Sequence, residues 1–331
     1  MTASDGAKAR RLVLIDAWRF VAAAAIVWLH TCNDGYLTAT TPGTRFAVPF
    51  FTAAAMYLLY QSERRRPEMK FGAFFARRVQ RLYLPFLGWN AVYLASSDLK
   101  RHFLSHQPPL PLDISYLFWA GTSLQLWFLP FLLVATLAGF WICRWMVRGD
   151  GKLRNRTTVL LILIGLVFCF FVMPLSGQEK LEQGTPIRFI LALIWDTLPA
   201  AFWGLALAAW PRRPPAWIGL GGFLAATAAG YLVGCTPLSV NLAGLCALIA
   251  ACGDWDSPLI RKLAQFGLDA YGIYLAHVLF IEAMFAGVQY AKIPNSIPLK
   301  LGEFAVALAA SMILVRLLNQ SRWTSWMNGH S

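Results

Sequence analysis

Apolar runs separated by short polar connections constrain the fold of this chain more than any other feature. Ten runs are found, at residues 12–33, 45–60, 82–97, 116–143, 158–175, 188–210, 216–234, 237–252, 266–288 and 299–319. A helix of about 20 apolar residues crosses the hydrocarbon core of a bilayer with its backbone groups paired internally. Only 14% of the residues are charged, well below the roughly 25% typical of soluble proteins. We therefore predict an all-α integral membrane protein with about ten transmembrane helices.

The basic residues indicate how these helices are oriented. If the N-terminus is cytoplasmic, 21 of the 29 Lys and Arg residues fall in inner connections and 7 fall in outer ones. Cytoplasmic loops collect positive charge, so both termini are predicted to be cytoplasmic. The net charge of +13 then reflects topology, because no basic helix or aromatic platform typical of nucleic-acid binders accompanies it. We expect no nucleic-acid partner.

The polar connections leave no room for an appended soluble domain. We predict a single transmembrane domain over residues 1–331, with a core at about 11–319. The six cysteines form no CxxC pair, and His102 and His106 stand before prolines without an acidic partner. We therefore expect no metal site.

Three ionisable residues lie in or beside the first apolar run. Asp16 stands three residues before Arg19, a spacing at which the two side chains can pair on a helix. Arg19 and His30 are 11 positions apart, so they share one helix face within roughly 20° and lie about 16 Å apart along the axis. Ionisable groups within a span usually face a polar cavity and serve function. We interpret Arg19 as an anion-binding group and His30 as a base; an interfacial ion pair and an interfacial histidine are the alternative.

Further polar groups mark other spans. Arg78 and Arg81 stand one helical turn apart before the third span, where two guanidinium groups can bind phosphate oxygens, although topology alone also places arginines there. His277 lies near the middle of the ninth span. The remaining polar groups in or near spans could orient a histidine, and the sequence does not choose among them: Asn90, Gln125, Asp196, Asp269 and Glu282.

Taken in order, these residues resemble acyltransferase family three, the multispanning membrane O-acyltransferases. The family's Asp-x-x-Arg followed by a histidine in the first helix matches Asp16, Arg19 and His30, and its Arg-x-x-Arg matches Arg78 and Arg81. Its Trp-Phe-Leu matches Trp127 in "LWFLPFLL", and its Gly-Ile-Tyr-Leu-x-His matches "YGIYLAH", which contains Tyr274 and His277. The resemblance extends from about residue 11 to 319 and is to the short, stand-alone type.

The resemblance implies transfer of an acyl group, usually acetyl, from cytoplasmic acyl-CoA to a sugar hydroxyl of an extracytoplasmic or lipid-linked polysaccharide. Arg78 and Arg81 would hold the nucleotide phosphates, Arg19 would line the path of the pantetheine arm, and His30 would act as general base or carry the acyl group covalently. Asp16, Trp127, Tyr274 and His277 are further pocket candidates.

Acetyl-CoA would be a substrate, and no tightly bound cofactor is expected. The implied location is the bacterial inner membrane, with the lipid bilayer and either a glycan-synthesis complex or a second copy of the chain as partners.

One departure from the family pattern falls in the second helix. The family reads Val-Pro-x-Phe-Phe-x-x-Ser-Gly-Tyr, whereas this chain reads "VPFFTAAAMY", with Ala55 and Met56 in place of Ser-Gly. A hydroxyl and a close-packing glycine are lost.

Two other functions fit the same residues. Arg and His in a cavity also suit a transporter or flippase of an anionic lipid or sugar, which would not bind acyl-CoA or transfer its acyl group. The chain could also be an inactive subunit of a glycan-synthesis complex, in which case His30→Ala would leave glycan acylation unchanged.

Overall fold

The computed structural model describes residues 3–32, 37–102, 118, 121–172, 186–212 and 214–329. Within these ranges the regular structure is entirely helical, and no β-strand is present. The all-α prediction is therefore confirmed for the described part of the chain.

Twelve α-helices are described, and the apolar runs explain their positions. Their bounds are Ala3–Thr31 (α1), Ala47–Arg65 (α2), Phe71–Arg78 (α3), Leu84–Lys100 (α4), Phe128–Arg148 (α5), Gly151–Val167 (α6), Pro186–Ala209 (α7), Ala216–Leu232 (α8), Pro237–Ala251 (α9), Pro258–Gly267 (α10), Ala270–Tyr290 (α11) and Ile297–Gln320 (α12). Short 3₁₀ turns occur at Thr38–Thr44, Leu124–Trp127 and Ser325–Asn328, and π turns at Val79–Tyr83 and Phe168–Val172.

Six helical stretches in the described ranges are long and apolar enough to cross a membrane. They are Val13–Thr31, Leu124–Arg148, Gly151–Phe170, Ile190–Ala209, Ala270–Tyr290 and Ile297–Gln320, and α8 and α9 are shorter apolar helices. The predicted runs at 45–60 and 82–97 form α2 and α4, which are not among the six. The total of ten spans and the cytoplasmic placement of both termini stay predictions.

The chain divides into two compact units. Unit 1 contains Met1–Met69 and Ala135–Ala270, and unit 2 contains Lys70–Val134 and Tyr271–Ser331. The expectation of one transmembrane domain over residues 1–331 stays a prediction.

Helix pairs build unit 1. The helix α2 packs on α7 and α9, α8 packs on α9, and α1 packs on α10 and α2. Small residues allow close approach: a Cβ at Gly204 of α7 would clash with the backbone of Ala53 on α2. Such small-residue contacts are the usual means by which membrane helices associate, because lipid supplies no hydrophobic force between them.

The helix α7 contains an inserted side-chain amide. Pro199 lies inside this helix and cannot donate to the ladder. One residue later, the Ala200 N–H donates to Asn241 Oδ1 at 3.1 Å, while Asn241 Nδ2 donates to the Asp196 carbonyl oxygen at 2.7 Å. Asn241 is fully buried on α9. Its amide therefore satisfies two backbone groups that would otherwise pair with each other.

Unit 2 is organised around α4 and the C-terminal turn. Trp89 and Tyr93 on α4 are each 1% exposed. Trp89 Nε1 donates to the Met327 carbonyl oxygen at 3.1 Å, and Tyr93 Oη donates to the Leu275 carbonyl oxygen at 2.7 Å. These bonds hold the end of the chain and α11 against α4.

Candidate functional site

Asp16 and Arg19 form the ion pair that their spacing predicts. Arg19 Nη1 lies 2.9 Å from Asp16 Oδ1, and the two side chains are 30% and 22% exposed. The carboxylate neutralises part of the cation's charge, which lowers the cost of holding it at the edge of an apolar run. The other nitrogen atoms of the guanidinium group are not used by this bond.

A glycine on α10 allows the backbone to approach this pair. A Cβ at Gly267 would clash with the carbonyl group of Asp16. The ring of Phe266, the preceding residue, packs on Phe20 of α1 with centroids 5.2 Å apart. The helix α10 therefore fixes the segment of α1 that carries Asp16 and Arg19.

His30 lies in the last turn of α1 and is half-buried. It takes part in an interaction with its neighbours, so it is not an isolated side chain. It lies on the same helix as Arg19, and no break occurs between them in α1. Because α1 is continuous, Arg19 and His30 keep the helical spacing on which the prediction of a shared face depends.

A network of hydrogen bonds fixes the chain beside His30. Trp28 Nε1 donates to Thr40 Oγ1 at 2.8 Å, which ties the 3₁₀ turn Thr38–Thr44 to α1. Tyr231 on α8 donates to the Thr40 carbonyl oxygen at 3.1 Å and accepts from the Gly43 N–H at 3.3 Å. The end of α1, the 3₁₀ turn that follows it and the sequence-distant helix α8 therefore meet here.

Arg78 and Arg81 lie in unit 2 at the start of one continuous helical segment. The Arg78 guanidinium lies over the ring of Phe74, 5.1 Å from its centroid, and Arg81 is exposed. Burial lowers the pKa of Arg78 to about 10, and the positive charge of Arg81 acts in the same direction. A half-buried guanidinium beside a second cation is electrostatically suited to a phosphate group, which would relieve both effects.

A π turn that contains Arg81 connects Arg78, the last residue of α3, to α4. Residues Val79–Tyr83 form this turn, and the Leu84 N–H bonds to the Val79 carbonyl oxygen. π turns are rare and frequently occur at functional sites. The wider turn changes the angle between Arg78 and Arg81 from that of the regular helix which the sequence predicts. The Tyr271 hydroxyl donates to the Arg81 carbonyl oxygen at 3.0 Å and fixes this turn to α11.

The connection that leads towards α3 is held by Arg144 of α5. Its Nη1 donates to the Met69 carbonyl oxygen at 3.0 Å, and its Nη2 donates to the Pro67 carbonyl oxygen at 3.3 Å. The helix α3 begins two residues after Met69. These two bonds therefore fix the chain immediately before α3, the helix that contains Arg78.

Trp127, Tyr274 and His277 lie in the interior of unit 2. They are 6%, 5% and 0% exposed. The ring of Phe128 packs on both Trp127 and Tyr274, with centroids 5.8 and 5.6 Å away. His277 Nδ1 lies 3.2 Å from the Ile273 carbonyl oxygen in its own helix. These three residues form a packed polar core, and His277 makes a local backbone contact.

Asn90 and Gln125, two of the polar groups that the sequence offers as able to orient a histidine, belong to this core together with Thr122 and Ser123, which were given no role. Gly121, at φ +88°, forms a turn after which the Thr122 N–H donates to Asn90 Oδ1 at 2.7 Å. Ser123 Oγ then donates to Gln125 Oε1 at 2.6 Å, and Tyr274 Oη donates to the Gln125 carbonyl oxygen. The signal that could have identified Thr122 and Ser123 is the polar run "GTSLQ" at the entrance to an apolar helix.

Met56, which replaces the family's glycine, is accommodated by another glycine. It is 3% exposed on α2, and a Cβ at Gly139 of α5 would lie 3.0 Å from Met56 Cε. A close-packing glycine is therefore still present at this contact, but it stands on the facing helix. Ala55 is half-buried beside it.

The predicted site residues divide between the two units. Asp16, Arg19 and His30 belong to unit 1, whereas Arg78, Arg81, Trp127, Tyr274 and His277 belong to unit 2. Within their own units, Asp16 pairs with Arg19, Arg78 lies near Arg81, and Tyr274 packs beside His277. A passage joining His30 to the arginine pair stays a prediction. Within the described ranges, no group of three or more His, Cys, Asp or Glu residues could hold a metal ion.

Comparison with known proteins identifies one match. A family model described as an acyltransferase domain matches residues 12–317, which is nearly the whole chain and includes every site residue named above. No curated protein and no solved structure matches the chain.

Proposed function

The chain belongs to acyltransferase family 3, and from this premise we propose that it is a membrane O-acyltransferase which moves an acetyl group from acetyl-CoA to a sugar hydroxyl. The match over residues 12–317 carries this proposal, since it covers the Asp16, Arg19 and His30 arrangement together with the arginine pair. The acceptor is an extracytoplasmic or lipid-linked polysaccharide.

Arg78 and Arg81 hold the phosphates of the donor. Arg78 is half-buried and lies over Phe74, so it is presented in a fixed orientation. With a pKa of about 10 it stays charged at neutral pH. Arg81 is more exposed and can adjust to a second phosphate oxygen. Two such guanidinium groups provide several charge-assisted hydrogen bonds to a polyphosphate.

His30 activates the acceptor. Its neutral imidazole takes the proton of the sugar hydroxyl as the oxygen attacks the thioester carbonyl carbon. The carbon–sulfur bond then breaks, the acetyl group stays on the sugar oxygen, and the CoA thiolate leaves and regains a proton from the imidazolium. In the other route left open by the sequence, His30 first accepts the acetyl group and the sugar then removes it.

Arg19 lines the path of the pantetheine arm. Its bond to Asp16 uses one nitrogen atom and leaves donors for the polar groups of the arm. Asp16 keeps the local charge low enough for a largely neutral chain to pass. Asp16 is thus a positioning residue, whereas Arg19 contacts the donor.

The protein acts in the bacterial inner membrane, with donor supplied from the cytoplasm and acceptor from the outer side. The six long apolar helices and the family match support a multi-pass membrane location. A glycan-synthesis complex would supply the lipid-linked acceptor, and a homo-oligomer is the alternative assembly.

Mass spectrometry of surface glycans tests this function. Strains with and without the gene are compared, together with His30→Ala and Arg78→Ala strains that produce equal amounts of membrane-inserted protein. The intact gene should add acetyl groups that the deletion and both variants lack. Unchanged acetylation in the deletion strain would show that the protein is not the acetyltransferase for surface glycans in that host. Acetylation that is lost in the deletion but unaffected by His30→Ala would favour an inactive subunit.

A further inference from the structure

The turn between α5 and α6 lies at one end of two apolar helical stretches. Leu124–Arg148 and Gly151–Phe170 are both long and apolar enough to cross a membrane, and only Gly149 and Asp150 join them. Side chains on the last turns of the first stretch and on the first turns of the second therefore lie where these helices leave the hydrocarbon core. Their exposure shows which of them face the bilayer.

An aromatic and basic face runs along the end of α5. Trp141, Trp145 and Arg148 follow one another at spacings of four and three residues, so they share one helix face, and all three are exposed. The two tryptophans are 56% and 53% exposed. Tryptophan is enriched where the hydrocarbon core meets the headgroups, because its ring is apolar and its N–H is polar. Arg148 lies about 4.5 Å further along the axis than Trp145, towards the headgroup phosphates.

The first turns of α6 carry a face of the same kind. Lys152 and Arg156 are exposed and stand one helical turn apart. The same face continues into Leu160 and Leu163, which are 51% and 53% exposed. It therefore changes from basic to apolar within about one turn, as expected of a helix surface that passes from the headgroups into the lipid tails.

Acidic residues compensate only part of the positive charge at this turn. Between residues 144 and 156 the chain has five cations and one acid. That acid, Asp150, caps α6 by accepting from the Leu153 N–H at 2.6 Å. A second carboxylate comes from Glu63 on α2, which is buried and on which the charges of Arg144 and Arg148 act. A net positive charge therefore remains at the surface.

The dipole of α6 adds to this uncompensated charge. Lys152, Arg154 and Arg156 all lie within the first six residues of the helix, near its positive end, where cations are disfavoured. The half-buried Arg154 donates to the Tyr60 side chain on α2, and the charge of Arg64 acts on the same tyrosine. An anion bound at the exposed side of this cluster would reduce the repulsion among these groups.

A phospholipid with a net negative charge matches both the basic and the apolar parts of this surface. We propose that Arg148, Lys152 and Arg156, which together we call the basic rim, bind the headgroup of an acidic phospholipid. The acyl chains of this lipid lie against the exposed tryptophans of α5 and the exposed leucines of α6. A soluble anion would leave the apolar part of the surface unused, and a zwitterionic phospholipid brings a cation of its own towards the basic rim.

Thermal unfolding of the full-length protein in a neutral detergent tests this proposal, because a lipid that binds the folded state raises the melting temperature. Three probes are compared: phosphatidylglycerol, phosphatidylcholine, and glycerol 3-phosphate, which carries the phosphate without acyl chains. Phosphatidylglycerol should raise the melting temperature at lower concentrations than phosphatidylcholine, and glycerol 3-phosphate should have no effect at those concentrations. High salt should weaken the response to phosphatidylglycerol, because it screens exposed charges.

A charge-neutralised variant locates the binding surface. Replacing all three residues of the basic rim by Gln should raise the phosphatidylglycerol concentration for a half-maximal response about tenfold or more, since each basic residue near a membrane surface contributes about fivefold to lipid binding. The control removes three charges at exposed basic residues outside the basic rim and should leave this concentration unchanged: Arg212→Gln, Lys292→Gln and Arg322→Gln.

Each alternative result overturns the proposal. Equal responses of the wild-type protein to phosphatidylglycerol and phosphatidylcholine would show that negative charge is not recognised. An equal response to glycerol 3-phosphate would identify a site for soluble phosphate instead. Equal losses in the basic-rim variant and the control would mean that only the net charge matters. If the triple variant does not fold, the single variant Arg156→Gln should still raise the half-maximal phosphatidylglycerol concentration about fivefold, and no change in it would contradict the basic rim.

Discussion

Gly267 packs directly on the carbonyl group of Asp16, with no room for a side chain between them. The helix α10 thereby approaches the turn of α1 that carries the Asp16–Arg19 ion pair. A residue outside the family motif thus determines the position of two residues within it.

Gly267→Ala should lower the stability of the protein by about 1–3 kcal/mol, because the added methyl group would force the two backbones apart. Arg19 would move with α1, so the apparent KM for acetyl-CoA should also rise. Thermal unfolding in detergent and donor titration measure these effects. Gly221→Ala is the matched control, since a Cβ at this helical position meets open space. An unchanged melting temperature in Gly267→Ala would contradict the packing.

His30→Ala and Arg78→Ala should affect different steps. Loss of the base should reduce transfer about 10²–10⁴-fold with little change in the dissociation constant of acetyl-CoA. Loss of Arg78 should mainly weaken donor binding. Stopped assays with labelled acetyl-CoA, combined with direct binding, separate the two effects. Equal loss of donor binding in both variants would show that His30 is not a group of the chemical step. A labelled acetyl group on His30 after rapid quenching would establish the covalent route.

Donor binding should be independent of pH between about pH 7 and 9. Burial and Arg81 lower the pKa of Arg78 to about 10, so the guanidinium that binds phosphate is mostly protonated in this range. Affinity should then fall as the pH rises through about 10, because the neutral form attracts phosphate weakly. Titrations of acetyl-CoA at several pH values measure this dependence. A decline centred near pH 7 would assign the controlling group to another residue.

Met56→Gly should destabilise the protein, although it restores the family's residue. The buried side chain fills the space in front of Gly139, and its removal would leave a cavity that costs about 2–5 kcal/mol. Adding Gly139→Ala should recover part of this loss by filling some of the cavity. A double-mutant cycle of unfolding free energies measures the coupling. Additive effects would mean that the two positions do not compensate each other.

Asn241→Ala should cost about 1–3 kcal/mol of stability. The change would leave the Ala200 N–H without its acceptor inside α7 and would free the Asp196 carbonyl oxygen. Asn241→Asp keeps an acceptor for Ala200 but loses the donor and buries a charge, so it should be no better tolerated. Thermal unfolding measures both variants. A neutral Asn241→Ala variant would show that α7 closes its own hydrogen bonds when the amide is removed.

Features that depend on local spacing could be predicted from the sequence. The apolar runs coincide with helices, and the three-residue spacing of Asp16 and Arg19 gives the observed ion pair. The placement of Arg78 and Arg81 on one helical segment also followed from their spacing. These features need only helix geometry, which is the same in any fold.

Features that depend on distant partners could not be predicted. The amide of Asn241 completes a helix that lies 41 residues earlier in the chain, and Tyr271 fixes the π turn that contains Arg81 across 190 residues. The fixed orientation of the Gln125 amide depends on a turn whose geometry is set by Gly121 and Asn90. Such contacts depend on which helices become neighbours, and the order of apolar runs does not specify this.

Tyr231 follows Thr40 by 191 residues and yet holds the turn beside His30. During synthesis, α1 and the following turn leave the ribosome long before α8 is made. The turn beside the C-terminal end of α1, where His30 lies, therefore lacks its hydrogen bond from Tyr231 until about two thirds of the polypeptide has entered the bilayer. A nascent chain arrested before α8 would contain the motif residues of α1 but would lack the contacts from Tyr231 to the turn beside His30.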